Sequence, residues 1–182
     1  LPPDAALCNG AGNFASWAHR FFRYHGLTKG VKTQLAPTNG AMGYGVPAAI
    51  ACAITSGRVV VALTGDGDFM MTGQELATAR QYGARLIVVL VNNGIYGTIR
   101  MHQARDYPQR QAGSMLTNPD FVRLAESHGL AGVRVERTEQ FEPALRAALA
   151  RSDGTLIEIM LSEQVITTRS TLEAIETQAA GR

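Results

Sequence analysis

The chain has 182 residues, of which 46% are hydrophobic and 18% charged, a balance that suits one domain with a sizeable core. Its formal net charge is only +2, and no basic run is interleaved with aromatics, which argues against a nucleic-acid partner. No apolar stretch approaches the roughly 20 uncharged residues that a membrane span requires.

The start, Leu1-Pro2-Pro3-Asp4, has neither an initiator Met nor the charged-then-apolar plan of a signal peptide. A fragment of a longer polypeptide is therefore expected, with Gly181-Arg182 as a natural end or a second cut. Ala5 to Asn9 is a strand candidate that runs into Gly10-Ala11-Gly12, and Phe14 to Tyr24 has helical spacing. A polar, glycine-containing link covers Gly26 to Asn39. Gly40-Ala41-Met42-Gly43-Tyr44-Gly45 opens a helix with Pro47 in its first turn, which Gly57 ends. Cys8 and Cys52 form no CxxC pair and read as two reduced cysteines of a cytoplasmic protein.

Val59 to Leu63 reads as a strand entering the turn Gly65-Asp66-Gly67-Asp68. A helix from about Thr72 to Tyr82 follows, then a strand from Leu86 to Val91 that delivers Asn92-Asn93. Gly94 to Met115 breaks periodicity and is expected to be irregular and mobile. Asn118 is expected to cap a helix with Pro119 in its first position, running to His128. Val133 to Val135 is a strand candidate, Thr138 caps a helix through Ala150, Leu156 to Leu161 is the last strand, and Arg169 to Gln178 forms a terminal helix. Strands alternating with helices predict an α/β fold, a parallel sheet with helices on both faces.

Asp66 and Asn93 follow two strands and present hard oxygen ligands, suited to magnesium or calcium, beside glycines that let backbone amides approach a phosphate. Gly-Asp-Gly and Asn-Asn-Gly are also ordinary turn signals. Met70 and Met71 exclude an EF-hand, and no P-loop signature is present. Gly10-Ala11-Gly12-Asn13-Phe14-Ala15 fits the dinucleotide fingerprint, but no acidic residue stands between Asp4 and Asp66 to hold a ribose. Lys29 and Lys32 keep an NADP-dependent oxidoreductase open as an alternative.

Gly65-Asp66-Gly67-Asp68-Phe69 followed by Val91-Asn92-Asn93-Gly94-Ile95-Tyr96-Gly97 resembles the diphosphate-binding motif of thiamine-diphosphate-dependent enzymes, acetolactate synthases and 2-oxo acid decarboxylases above all. Gln74 to Gly83, Gly40 to Ala49 and Gly12 to Trp17 resemble further segments of the same family, in order. The resemblance implies a thiamine-diphosphate-binding fold over residues 1–182. It implies that Asp66, Asn93 and the main-chain carbonyl of Ile95 bind Mg²⁺. Gly65, Gly67 and Asp68, groups near Gly12 and Asn13, and the Tyr96-Gly97 turn would hold the cofactor. The carbonyl of Gly40 and the amide of Met42 would meet the pyrimidine, and the Met42 side chain would wedge between the two rings.

The implied activity is decarboxylation of a 2-oxo acid, with the product protonated or carboligated, in a lyase or transferase. No catalytic residue is assigned. Glu75 falls on a structural helix of the family; His102, Arg100 and Arg105 read as surface groups. The residue that activates the cofactor would come from a pyrimidine-binding domain of the same enzyme, commonly across a dimer interface. The full-length protein is thus expected to be a homodimer or homotetramer, and the isolated chain inactive. His102 stands where acetolactate synthases tend to carry tryptophan, and Asn93 to Gly97 looks more like benzoylformate decarboxylases. A non-catalytic or regulatory cofactor-binding homologue is the other alternative.

Overall fold

The computed structural model describes residues 1–26 and 30–181. Lys29, cited above for a phosphorylated ribose, lies outside them, as does Arg182. Among the described residues, six parallel strands form one sheet in the order β2-β1-β3-β4-β6-β5. They are β1 (Ala6–Asn9), β2 (Gln34–Leu35), β3 (Val60–Gly65), β4 (Ile87–Asn92), β5 (Ala131–Val135) and β6 (Thr155–Met160). The helices are α1 (Ala15–Phe21), α2 (Gly45–Ser56), α3 (Asp66–Phe69), α4 (Leu76–Gln81), α5 (Gly97–Asp106), α6 (Phe121–Ser127), α7 (Thr138–Ala150) and α8 (Leu172–Ala180).

Strand alternation sorts the core into two layers. Ala6, Cys8, Val60, Ala62, Val88, Leu90 and Leu156 pack under α2, α4 and α6, where Phe69 meets Phe121 edge-on at 5.6 Å. Leu7, Val61, Leu63, Val89, Ile157 and Ile159 face the other way, toward Ala18 and Phe22 on one side and Phe141, Ala144 and Leu145 of α7 on the other. Three helices cover the first face; α1 and α7 flank a gap over β3 and β4 on the second. That gap opens at the carboxyl ends of the strands.

Several elements differ from expectation. Residues Gly94 to Met115 contain the ten-residue α5 rather than irregular chain. Its sequence shows no apolar stripe because Ala104 is its one fully buried residue; Ala104 and half-buried Met101 pack against Leu172 and Ile175 of α8 and against Ile166 ahead of it. Asn118 does not cap α6: the helix starts at Phe121, and Asp120 caps it by accepting from the Arg123 amide at 3.1 Å. Thr138 is the first residue of α7, whose entry is closed by Gln140 Oε1 accepting from the amides of Glu136 and Arg137. The two-residue edge strand β2 is too short to show periodicity. Gly57 ends α2 in the left-handed conformation, φ 64°, as expected.

Cys8 and Cys52, distant in sequence, are neighbours in the core and both free. Burial, followed by the adjoining Cys52, pushes the Cys8 thiol up to about 12. Because the folded value lies above the unfolded one, the stabilising contribution of the neutral thiol is complete below about 9 and is lost as pH rises toward 12. Denaturant melts are expected to show stability falling across that window. Replacing Cys8 with alanine should remove this alkaline component, and native Cys8 should resist alkylation at pH 8.

Candidate functional site

Register brings the two motifs together. Gly65 pairs with Val91, so Asp66 and Asn92 leave neighbouring strands at the same level and Asn93 stands one residue beyond. Asp66 opens α3 and is 3% exposed. Its Oδ1 accepts from the Gly67 amide at 2.9 Å; its Oδ2 accepts from the Gly94 amide at 2.8 Å and from Asn118 Nδ2 at 2.8 Å. Burial raises its carboxyl above the ordinary range, while these hydrogen bonds pull it back down. Among the described residues no cation pairs with it.

Asn93 Oδ1 accepts from the Ile95 amide at 3.3 Å. Ile95 forms an antiparallel bridge with Met115, and the hydrogen bonds of that bridge belong to the flanking residues: Leu116 N to Gly94 O and Tyr96 N to Ser114 O, each 2.8 Å. In such a pair the polar groups of the central residue point away from the partner strand. The Ile95 carbonyl is therefore directed to the side on which its amide meets Asn93.

Asp68 is also 3% exposed, and its side chain joins three segments. Its Oδ1 accepts from the amides of Ala11 (3.2 Å) and Gly43 (2.8 Å), and its Oδ2 accepts from the Thr64 hydroxyl (2.6 Å). Burial raises this carboxyl as well, against the same hydrogen bonds. A Cβ on Gly10 would lie 1.8 Å from Asp68 Oδ2, so only glycine admits the carboxylate there. The Gly10-Ala11-Gly12 turn thus spends an amide on a protein carboxylate.

A cavity of about 500 Å³ opens beside these groups. Asp66, Gly65, Gly67, Asp68 and Asn93 line it with Ile95, Tyr96 and Gly97, and so do Gly12, Asn13 and Met42. Gly40 does not line it and is exposed, at φ 69°. Asn13 is anchored by its amide on Thr98 Oγ1 (3.1 Å) and by Nδ2 on the Ile166 carbonyl (3.0 Å), which ties the β1–α1 turn to α5. Away from the cavity, Glu75 accepts from Thr78, Arg105 pairs with Asp106, Arg100 donates to Ser114, and His102 is exposed on α5.

The donor set is one carboxylate, one carboxamide oxygen and one main-chain carbonyl. No cluster of three or more His, Cys, Asp or Glu gathers for a metal among the described residues. Such a set suits a hard cation that takes its remaining ligands from phosphate oxygens and water. Asn118 and Thr98 carry no local sign of their part in this site: each reaches it from a segment distant in sequence.

The chain matches, over residues 10–159, the family described as thiamine pyrophosphate enzyme, C-terminal TPP binding domain. It belongs to that family. The domain is 38% identical over 161 residues to the acetolactate synthase of Mycobacterium bovis, covering 85% of this chain and 26% of that protein. It is 37% identical over 162 residues to the acetolactate synthase large subunit of Corynebacterium glutamicum, covering 85% and 25%. With the mitochondrial acetolactate synthase of Schizosaccharomyces pombe it shares 31% identity over 165 residues, covering 90% and 24%. A thiamine diphosphate-dependent 4-hydroxybenzoylformate decarboxylase of Rhodococcus jostii RHA1 superposes with a TM-score of 0.75 at 30% identity, covering 88% of this chain and 30% of that one. The chain therefore spans about a quarter of the length of these curated relatives. Its family cofactor is thiamine diphosphate, and no helix among the described residues is long and apolar enough to cross a membrane.

Proposed function

We propose that this domain holds the diphosphate and Mg²⁺ of thiamine diphosphate in an enzyme that decarboxylates a 2-oxo acid and protonates or carboligates the product. The observation that carries this is Asp66: a buried carboxylate with no cationic partner among the described residues, beside Asn93 on the wall of the cavity. An uncompensated buried charge is costly, and a bound cation offsets that cost. Asp66, the Asn93 side-chain oxygen and the Ile95 carbonyl would hold the cation. Main chain at Gly67 and Asp68, with groups at Gly12, Asn13, Tyr96 and Gly97, would hold the diphosphate. The Gly40 carbonyl and Met42 would receive the pyrimidine. When bound, thiamine diphosphate supplies the nucleophilic carbon and the electron sink for decarboxylation.

The protein's part here is anchoring and orientation. Proton transfer at the cofactor falls to a pyrimidine-binding domain elsewhere in the same enzyme, and the complete site forms in a homodimer or homotetramer. The cytoplasmic location read from two free cysteines belongs to this proposal too. Calorimetric titration of the full polypeptide with thiamine diphosphate is expected to show tight binding only with Mg²⁺, while the isolated domain gives no steady decarboxylation. Equal affinity with and without Mg²⁺ would overturn the metal site. Steady turnover by the isolated domain would overturn the division of labour.

A further inference from the structure

We propose that Asn118 is a positioning residue that decides which oxygen of Asp66 is offered to the cation, and that its orientation is set by buried Glu158, which the exposed Arg134 pairs from the surface side. This rests on the reading of Asp66 as a metal ligand. Glu158 stands on β6 and is 1% exposed. Its Oε2 accepts from Arg134 Nε at 2.8 Å, and its Oε1 accepts from Asn92 Nδ2 at 2.7 Å. Both oxygens of Glu158 are thus acceptors. The Asn92 amide must therefore turn its nitrogen to Glu158.

Asn92 Oδ1 consequently faces the other way and needs donors. It has two, the Gly94 amide at 3.2 Å and Asn118 Nδ2 at 2.9 Å. That requirement turns the nitrogen of Asn118 inward, where its second hydrogen reaches Asp66 Oδ2 at 2.8 Å. With the Gly94 amide at 2.8 Å, Asp66 Oδ2 then carries two protein donors. Oδ1 carries one, from Gly67 at 2.9 Å, and keeps a lone pair open. Two oxygens that are equivalent in a free carboxylate are thus made unequal by a relay running from Glu158 through Asn92 and Asn118.

The relay is closed on itself. Asn118 and Asp120 flank Pro119, and Asp120 Oδ1 receives Arg134 Nη2 at 3.4 Å. One arginine therefore anchors both the loop that carries Asn118 and the carboxylate that orients Asn92. The chemical consequence is monodentate ligation by Asp66. Mg²⁺ demands short, near-octahedral bonds, whereas Ca²⁺ is larger and accepts both oxygens of one carboxylate. Removing the Asn118 donor frees Oδ2 and admits the bidentate mode, so Asn118 favours the smaller ion.

The test is calorimetric titration of the full polypeptide with Mg²⁺ and with Ca²⁺, thiamine diphosphate being present, alongside thermal unfolding of the metal-free protein. Asn118→Ala is expected to weaken Mg²⁺ binding about 10- to 100-fold and Ca²⁺ binding distinctly less, at an almost unchanged metal-free melting temperature. Glu158→Gln is the second variant: its amide cannot accept from both Asn92 and Arg134, so the ratio of affinities should shift the same way by a smaller factor, and it decides the question if the alanine variant does not fold. An unchanged Mg²⁺ to Ca²⁺ ratio in the variants, whether both affinities hold or both fall with the melting temperature, would overturn the relay and leave the metal site standing. A wild-type protein that binds neither ion would overturn the metal site and the relay together.

Discussion

Asp66→Ala is expected to eliminate Mg²⁺-dependent cofactor binding and with it the activity of the full-length enzyme. Asp66 is the one carboxylate in the proposed ligand set, and neither Asn93 nor the Ile95 carbonyl brings a formal charge. Partners that merely orient a metal ligand are worth about 10- to 100-fold in affinity, so loss of the ligand itself should exceed about 100-fold. Stability should respond differently. The substitution strands three donors, the amides of Gly67 and Gly94 and Asn118 Nδ2, but also removes a charge that burial penalises. Relief of the charge offsets only part of the cost of the stranded donors, so the metal-free melting temperature should fall by about 6–12 °C, a loss that leaves a folded protein to titrate. Isothermal titration with Mg²⁺ and calorimetric melting of the same preparation separate the outcomes. Retained Mg²⁺ affinity in a folded variant would remove Asp66 from the ligand set.

Much of this site was legible because its motifs are local. Strand β3 runs straight into Gly65-Asp66-Gly67-Asp68 and strand β4 into Asn92-Asn93, and a parallel sheet places both ends on one rim. What escaped the sequence is what depends on tertiary contact. Helix α5 fully buries only Ala104, with Met101 half-buried beside it against α8, so its amino-acid pattern has no stripe that marks a helix. Asn-Pro-Asp offers two possible caps for α6, and the choice of Asp120 over Asn118 follows from Asn118 being drawn to Asp66 and Asn92. The side-chain role of Asp68 was hidden for a similar reason: its partners Ala11 and Gly43 come from turns far apart in sequence.

Asp68 also yields the sharpest contrast between two substitutions at one position. Asp68→Ala removes the acceptor shared by the Ala11 and Gly43 amides and the Thr64 hydroxyl. Each buried donor left unsatisfied costs about 1–3 kcal/mol, and relief of the buried charge offsets part of the sum, leaving a loss on the order of 3 kcal/mol. For a domain of this length that is a fall of about 6–12 °C in melting temperature. Cofactor affinity should fall with it, because Asp68 holds the turn before Asn13 to the segment carrying Met42. Asp68→Asn should behave otherwise. The carboxamide oxygen can still accept from both amides, and its nitrogen can donate to Thr64 Oγ1, whose hydroxyl hydrogen has the Gly65 carbonyl 3.2 Å away as a second acceptor. Each of the three partners then keeps a hydrogen bond and the desolvated charge is gone, while the second amide hydrogen is a new buried donor beside Gly10, so the asparagine variant should melt well above the alanine variant and close to the wild-type temperature. Parallel thermal melts of the two variants provide the check. An asparagine variant as unstable as the alanine one would mean that the charge of Asp68, and not its hydrogen-bond geometry, holds these turns together.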